Sequence, residues 1–308
     1  MIVQIYEIQD PREAENCIEA GVDRIGSVIL SERDWRLPDL RDTVRVSDGT
    51  GVHNCIIPLF RDVDKISSAL DYYMPDFIHL CESLTNEQGD PKDLEIYIEA
   101  QRKIKERFPE IGIIRSMPIP GEGVEVELPT IEIARNFEPV TDQFLTDTWL
   151  GKEPVEGFIG LTGKTCDRKI ARELVIRSNL PVILAGGLSP ENVYDALMAI
   201  RPAGADSCTL TNRLDNRDLP IRFQKDFAKV EEFVKETRRA EDMVTDKKEQ
   251  LKIEIEELKT LLADRREALP AHSVQPHQLQ AIEDLEDKIT AKEKDLERLK
   301  QDLSSHSY

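Results

Sequence analysis

A chain of 308 residues exceeds one small domain and suits a barrel of about 200–250 residues with an appendage. Its 60 acidic against 41 basic residues leave a formal charge of −19, the wrong sign for a nucleic-acid surface, which needs clustered Lys and Arg. No apolar run approaches the roughly 18 residues of a membrane helix. The five scattered cysteines (Cys17, Cys55, Cys81, Cys166 and Cys208) form no CxxC pair, so neither a disulfide framework nor a zinc cluster is expected. An acidic, soluble protein with reduced thiols in the cytoplasm fits these features.

The chain opens as structure, not as a targeting signal: 2–6 is already strand-like and acidic residues follow at once. Eight short apolar runs come in order at 2–6, 24–30, 54–60, 77–80, 111–117, 143–147, 181–185 and 206–211. Helical spacing lies between them. Asp10-Pro11-Arg12-Glu13 puts an N-cap residue before a proline at the first helical position. Helices are predicted over 62–74, 91–108 and 167–178, and Ser189-Pro190-Glu191 repeats the cap-then-proline start for 189–200. Near-continuous apolar strands alternating with helices imply a parallel sheet covered on both faces. Eight such units predict an α/β fold, a closed (β/α)8 TIM barrel over 1–238. No GxGxxG follows the first strand, which argues against an open dinucleotide-binding sheet.

After about residue 240 the composition changes. Val244, Leu251 and Leu258 recur every seven residues, as do Ile255, Leu262 and Leu269. Ile282, Ile289, Leu296 and Leu303 repeat at the same period, with Leu285 and Leu299 as the second seam position. The break at 269–277 holds Pro270 and Pro276 and cannot be helical throughout. Residues 239–308 are therefore expected to form an antiparallel α-helical coiled-coil hairpin. Its core is thin, so 240–303 would bind a second copy or a partner protein, or serve as a spacer packed on its own barrel.

In parallel barrels the site lies at the C-terminal ends of the strands. Polar residues expected there are Tyr6 and Glu7 after the first strand, Ser31 to Arg36 after the second, His79, Cys81 and Glu82 at the fourth, Arg115 and Ser116 in the fifth and Asp147 ending the sixth. Gly160, Thr162, Gly163 and Lys164 then open the sixth helix, Gly186-Gly187 follow the seventh strand, and Thr209, Thr211 and Asn212 finish the eighth. Adjacent glycines at such a strand end let backbone N–H groups close on a phosphate with no Cβ in the way. A strand-to-helix turn needing positive φ is the plainer reading. Only His53 and His79 lie in the barrel, without metal-ligand spacing, and no strand carries a Lys for Schiff-base chemistry. Neither a metal nor a cofactor is expected.

Leu145-Thr146-Asp147, then Gly160-Leu161-Thr162-Gly163-Lys164-Thr165-Cys166-Asp167, then Leu184-Ala185-Gly186-Gly187-Leu188-Ser189-Pro190-Glu191-Asn192-Val193 resemble the phosphoribosylanthranilate isomerase family in order and spacing. The opening Ile5 to Ala14 and Ala20 to Gly26 are similar to it as well, so the resemblance spans the barrel and none of the hairpin. It implies an Amadori rearrangement, in which a general acid opens the ribose ring and a general base removes the C2 proton. The family acid maps onto Asp147. The family base, a Cys ending the first strand, is Tyr6 here, and the Lys two residues earlier is Gln4. A phenol titrates near pH 10 and a thiol near 8.5, so Tyr6 is a poor substitute base. The family's Ser-Ser-Gly after the eighth strand is replaced by Cys208-Thr209-Leu210, and a family Arg after the second strand corresponds to Arg36.

Cys81, Glu7 and Glu82 are the conceivable replacement bases. Cys81 also reads as a small buried hydrophobe, and the two carboxylates as solvated loop charges. Lys164 pairs with a substrate anion or is merely exposed. The expected function is an aldose-ketose isomerase (an intramolecular oxidoreductase) of a phosphorylated sugar, in tryptophan biosynthesis or beside it. The alternative is a non-catalytic barrel that binds a phosphorylated metabolite while its coiled coil organises oligomers or partners.

Overall fold

The computed structural model describes residues 1–270 and 274–304. The chain divides into two units, Met1–Arg239 and Ala240–Tyr308. In the first, strands β1 (Ile2–Ile5), β2 (Arg24–Ile29), β3 (His53–Pro58), β4 (Phe77–Leu80), β5 (Gly112–Pro120), β6 (Gln143–Trp149), β7 (Val182–Leu184) and β8 (Gly204–Ser207) pair in sequence order. All neighbours are parallel, and β8 returns to β1 with Gln4 opposite Asp206 and Ile5 opposite Ser207. That closes the barrel expected from the eight apolar runs.

Helices α1 (Pro11–Glu19), α2 (Pro38–Arg45), α3 (Val63–Tyr73), α4 (Leu94–Arg107), α5 (Thr130–Phe137), α6 (Arg168–Arg177) and α7 (Val193–Ile200) alternate with the strands. Local chemistry starts several of them. The Asp10 carboxylate accepts from the Arg12 and Glu13 N–H groups, Asp62 from Lys65, and Asp167 from Lys169 and Ile170. Barrel-facing side chains such as Ile114, Leu145 and Ile183 fill the interior. A second cluster, with Ile56, Ile66, Leu70 and Ile104, lies between strands and helices.

Four expected boundaries move. Helix α4 starts after 91 because Lys92 N–H bonds Leu84 O and Pro91 bridges Thr85, so the chain there is still extended. Helix α7 starts after 189 because the Ser189 carbonyl accepts from both Asn192 and Val193 in a separate turn. Residues 160–165 are loop rather than helix, α6 beginning at Arg168. The eighth strand is Gly204–Ser207 and not 206–211; Thr209–Thr211 form a turn of 3-10 helix. Gly204 packs so closely on β1 that a Cβ there would stand 2.3 Å from the Ile2 carbonyl oxygen.

An antiparallel hairpin of β9 (Asn212–Leu214) and β10 (Pro220–Lys225) follows, which apolar periodicity did not mark. Helix α8 (Phe227–Glu267) then runs without interruption across the division between the units. In the second unit α8 is followed by α9 (Pro276–Ser304). Ile255, Ile282, Leu285, Ile289 and Leu296 are buried. Ion pairs Lys259–Glu293, Arg266–Glu286 and Lys292–Glu254 put early residues of one helix beside late residues of the other, an antiparallel arrangement. Within the expected break, 271–273 lie outside the described residues, as do the side chains of the expected seam residues Leu299 and Leu303.

Candidate active site

Two cavities open side by side at the C-terminal ends of the strands. One, of about 560 Å³, is walled largely by apolar side chains including Ile57, Leu145, Phe158 and Ile159, with Tyr6, Glu7, His79, Cys81 and Gly160 also facing it. The other, of about 370 Å³, is formed by Thr162, Gly163, Gly186, Gly187 and Thr209. Asp147, Leu161, Asp206 and Cys208 line both.

The loops after β6 and β7 meet backbone to backbone, and glycine is what allows it. Gly187 has φ +61°, and a Cβ on it would lie 2.6 Å from Lys164 C and Thr165 N. Gly160, at φ +99°, leaves room for the acid: a Cβ there would lie 2.7 Å from Asp147 Oδ1. Two side chains hold the arrangement. Thr148 Oγ1 donates to Lys164 O at 2.7 Å, while the Asn192 amide donates to Gly187 O and accepts from Ser189 N–H, each at 2.9 Å.

Asp147 ends in a short relay. Ser116 Oγ lies 2.5 Å from Asp147 Oδ2 and 2.7 Å from His79 Nε2. His79 Nε2–H donates to Ser116, which donates to Asp147 Oδ2; a proton carried on Oδ1 leaves both bonds in place and faces the cavity side of the carboxyl. Burial pushes the Asp147 carboxyl well above the usual carboxylate range; the charges of Asp206 and Glu153 add to this and the Ser116 bond opposes it. The shift favours the protonated carboxyl, the form a general acid needs. Burial, then the nearby Arg115 and Arg24, lower His79 to about 3, so its ring is neutral.

The other sequence candidates separate. Tyr6 reaches the cavity, but its hydroxyl shares a hydrogen bond with Cys55 Sγ at 3.3 Å, and burial drives the phenol well above its ordinary value. Glu7, at φ 65°, is held by Asn212 Nδ2 at 2.9 Å and Arg222 Nε at 2.6 Å. Burial pushes its carboxyl up, but those bonds and the charges of Arg222 and Lys225 outweigh it and keep Glu7 below the usual range. Glu82 is taken up by a buried pair with Arg115 at 2.5 Å. Cys81 faces the cavity, but burial, then the charges of Glu82 and Asp147, raise its thiol well above the ordinary range. Lys164 contributes backbone to the loop while its side chain is exposed. Arg36 lies in neither cavity lining; it is exposed, with its guanidinium 4.8 Å over the Tyr72 ring.

One residue at the junction of the cavities was not singled out by sequence. Asp206 is 6% exposed, and its Oδ1 accepts from Gln4 Nε2 at 3.0 Å. Gln4 in turn accepts from Arg24, which also donates to Gln143, forming a polar layer across the barrel floor. Burial raises Asp206 to about 7, against the opposing Gln4 bond and the charges of Lys225 and Arg24. Among the described residues no group of His, Cys, Asp and Glu has the arrangement of a metal site.

Fold and mouth together define a (β/α)8 barrel with an acidic site at the C-terminal ends of its strands. No family model matches the chain. It is 35% identical over 247 residues to the N-(5'-phosphoribosyl)anthranilate isomerase of Methanocella arvoryzae, covering 77% of this chain and 97% of that one. It is 28% identical over 242 residues to the enzyme of the same name from Methanothrix thermoacetophila, with the same shares covered. The crystal structure of phosphoribosyl anthranilate isomerase from Thermotoga maritima shares the barrel at a TM-score of 0.55 and 24% identity, covering 77% of this chain and 99% of that one. A phosphoribosyl anthranilate isomerase solved with reduced 1-(o-carboxyphenylamino)-1-deoxyribulose 5-phosphate superposes at a TM-score of 0.53, with 22% identity over 77% of this chain and 99% of that one. The chain belongs to the N-(5'-phosphoribosyl)anthranilate isomerase family.

Proposed function

We propose that the barrel isomerises N-(5'-phosphoribosyl)anthranilate to the corresponding 1-amino-1-deoxyribulose phosphate, a step of tryptophan biosynthesis, with Asp147 as general acid. The observation that carries this is the place of Asp147: a half-buried carboxyl at the junction of an apolar cavity and a glycine-walled one. An aromatic ring fits the first. A phosphate fits the second, where the backbone at Gly163, Gly186 and Gly187 and the Thr209 hydroxyl can surround it. The sugar carbons between ring and phosphate then lie over Asp147. Its proton goes to the ring oxygen as the C1–O bond breaks, and the anilino nitrogen lone pair forms the C1=N⁺ bond. The hydrogen-bonded chain through Ser116 to His79 holds the carboxyl in one orientation. Expressed in the cytoplasm of a bacterium lacking its own phosphoribosylanthranilate isomerase, the protein is expected to restore growth without tryptophan, and Asp147→Asn is not.

The bonded Tyr6 phenol, standing where the family has its thiol base, favours the second reading: a barrel that binds a phosphorylated metabolite without turnover. Saturable binding of the phosphorylated product without growth would favour it. For the second unit we infer a coiled-coil hairpin over 239–308 that associates with a second copy or a partner. Its buried aliphatic residues and cross-helix ion pairs support the hairpin, and the exposed Ile253, Leu261 and Leu279 support the association.

A further inference from the structure

We propose that Asp206 is the general base of this barrel, taking the C2 proton that the missing strand-one thiol would have taken. The proposal rests on the isomerase reading above. C1 and C2 lie between the aromatic ring and the phosphate, so the groups that can reach C2 are those facing both cavities: Asp147, Leu161, Asp206 and Cys208. Leu161 has no acid-base chemistry. Asp147 is committed as the acid. Burial, together with the charge of Glu7, pushes the Cys208 thiol far up, which leaves it protonated.

The position of Asp206 suits the task. It sits one residue before the end of β8, directly opposite Gln4 of β1, and the next residue, Ser207, accepts the Tyr6 N–H at 3.1 Å. The carboxylate thus enters the mouth from the strand hydrogen-bonded to the one that lost its base. Oδ1 is fixed by Gln4, and among the described residues Oδ2 receives no donor, which leaves a lone pair for the substrate. Its raised proton affinity, near pH 7, lies where a general base is most effective.

The steps balance between two carboxyl groups. Asp147 gives its proton to the ring oxygen and becomes a carboxylate as the C1=N⁺ bond forms. Asp206 takes the C2 proton; the C2–H pair becomes the C1=C2 bond and the C=N π pair returns to nitrogen. The resulting enol gives its O–H proton to Asp147, while C1 takes the proton held by Asp206. Both groups end as they began.

The test compares wild type, Asp206→Asn and Cys81→Ser. Asn keeps the size and can still accept from Gln4, and circular dichroism checks that it folds. Asp206→Asn is expected to lower kcat by about 10²- to 10⁴-fold, more than Cys81→Ser does. The affinity for the reduced, unreactive product analogue should stay within about threefold. In wild type kcat/KM should rise through about pH 7, and that limb should vanish in Asp206→Asn. The charged and titratable groups facing Asp206 are Arg24, Cys55, Tyr6, Asp147, Cys208 and Lys225, so each variant needs its own full profile. Near-wild-type turnover in Asp206→Asn, or loss in Cys81→Ser alone, overturns the assignment while leaving the isomerase reading intact. A wild-type protein that binds the analogue and never turns over overturns both.

Discussion

At the scale of single residues, the acid depends on its neighbours. Ser116 donates to ionised Asp147, and a bond to the charged form lowers a carboxyl's proton affinity. Ser116→Ala removes that bond, so Asp147 should hold its proton to higher pH. The descending, alkaline limb of kcat/KM is then expected to move up the pH scale while kcat falls, because the carboxyl has lost its orienting partner. An unshifted limb in the pH–rate profile would contradict the relay. Tyr6 gives a second residue-scale test. Its ring lies over Gly26, where an added Cβ would stand 1.9 Å from Cδ1. Gly26→Ala should cost about 1–3 kcal/mol of stability by overpacking. In a Tyr6→Cys background most of that cost should disappear, which a double-mutant cycle of thermal unfolding would reveal. Asp147 was visible in the sequence because the motif around it is specific. Asp206 was not, for a physical reason. Gly204 and Ala205 have weak strand propensity, so the strand was read as starting at Asp206, which put that residue at the wrong end of the barrel. The true strand ends at Ser207 and carries Asp206 to the mouth.

At the scale of elements, the β9–β10 hairpin acts as a brace. From β10, the fully buried Lys225 donates to Cys208 O at 2.6 Å and to Asn212 Oδ1 at 2.5 Å, fixing the turn that follows β8. Glu7 ties the same hairpin to the end of β1 through Asn212 and Arg222. Lys225→Met should therefore lower stability by about 1–3 kcal/mol for each buried acceptor left unpaired. Because the Lys225 charge favours ionised Asp206, the ascending limb of the pH profile should also move to higher pH. Unfolding curves and rate profiles on the same variant check both effects. The loops after β6 and β7 make a second such unit. A side chain at 187 would strike backbone, which cannot swing aside, so Gly187→Ala should raise KM for the phosphorylated substrate strongly while truncated substrates without phosphate are affected less. Neither the hairpin nor Lys225 could be read from periodicity: the strands are short and only the first residue of β9 and the last of β10 are buried, so no apolar alternation marks them.

At the scale of the whole molecule, the barrel was readable because strands buried on both faces leave short, dense apolar runs, and eight of them in alternation with helices admit few other folds. The change of composition after residue 240 pointed to a helical extension, which α8 and α9 form. What composition could not show was that the eighth barrel helix and the first helix of the extension are one, α8, running from Phe227 to Glu267. If the second unit associates as proposed, a chain ending at residue 239 should keep a folded barrel and show a lower mass per particle than the full chain, beyond the loss of the residues themselves. A mass by light scattering lower only by those residues would contradict the role in association. The central claim, however, concerns chemistry at Asp147. The most direct measurement is ¹³C NMR of substrate labelled at C2, incubated with wild type and with Asp147→Asn. The account predicts that the wild-type enzyme converts the sugar C2 signal to that of a ketone, and that the variant does so at least about 100-fold more slowly. A C2 signal that persists with wild-type protein under saturating binding, or equal conversion by the variant, would contradict it.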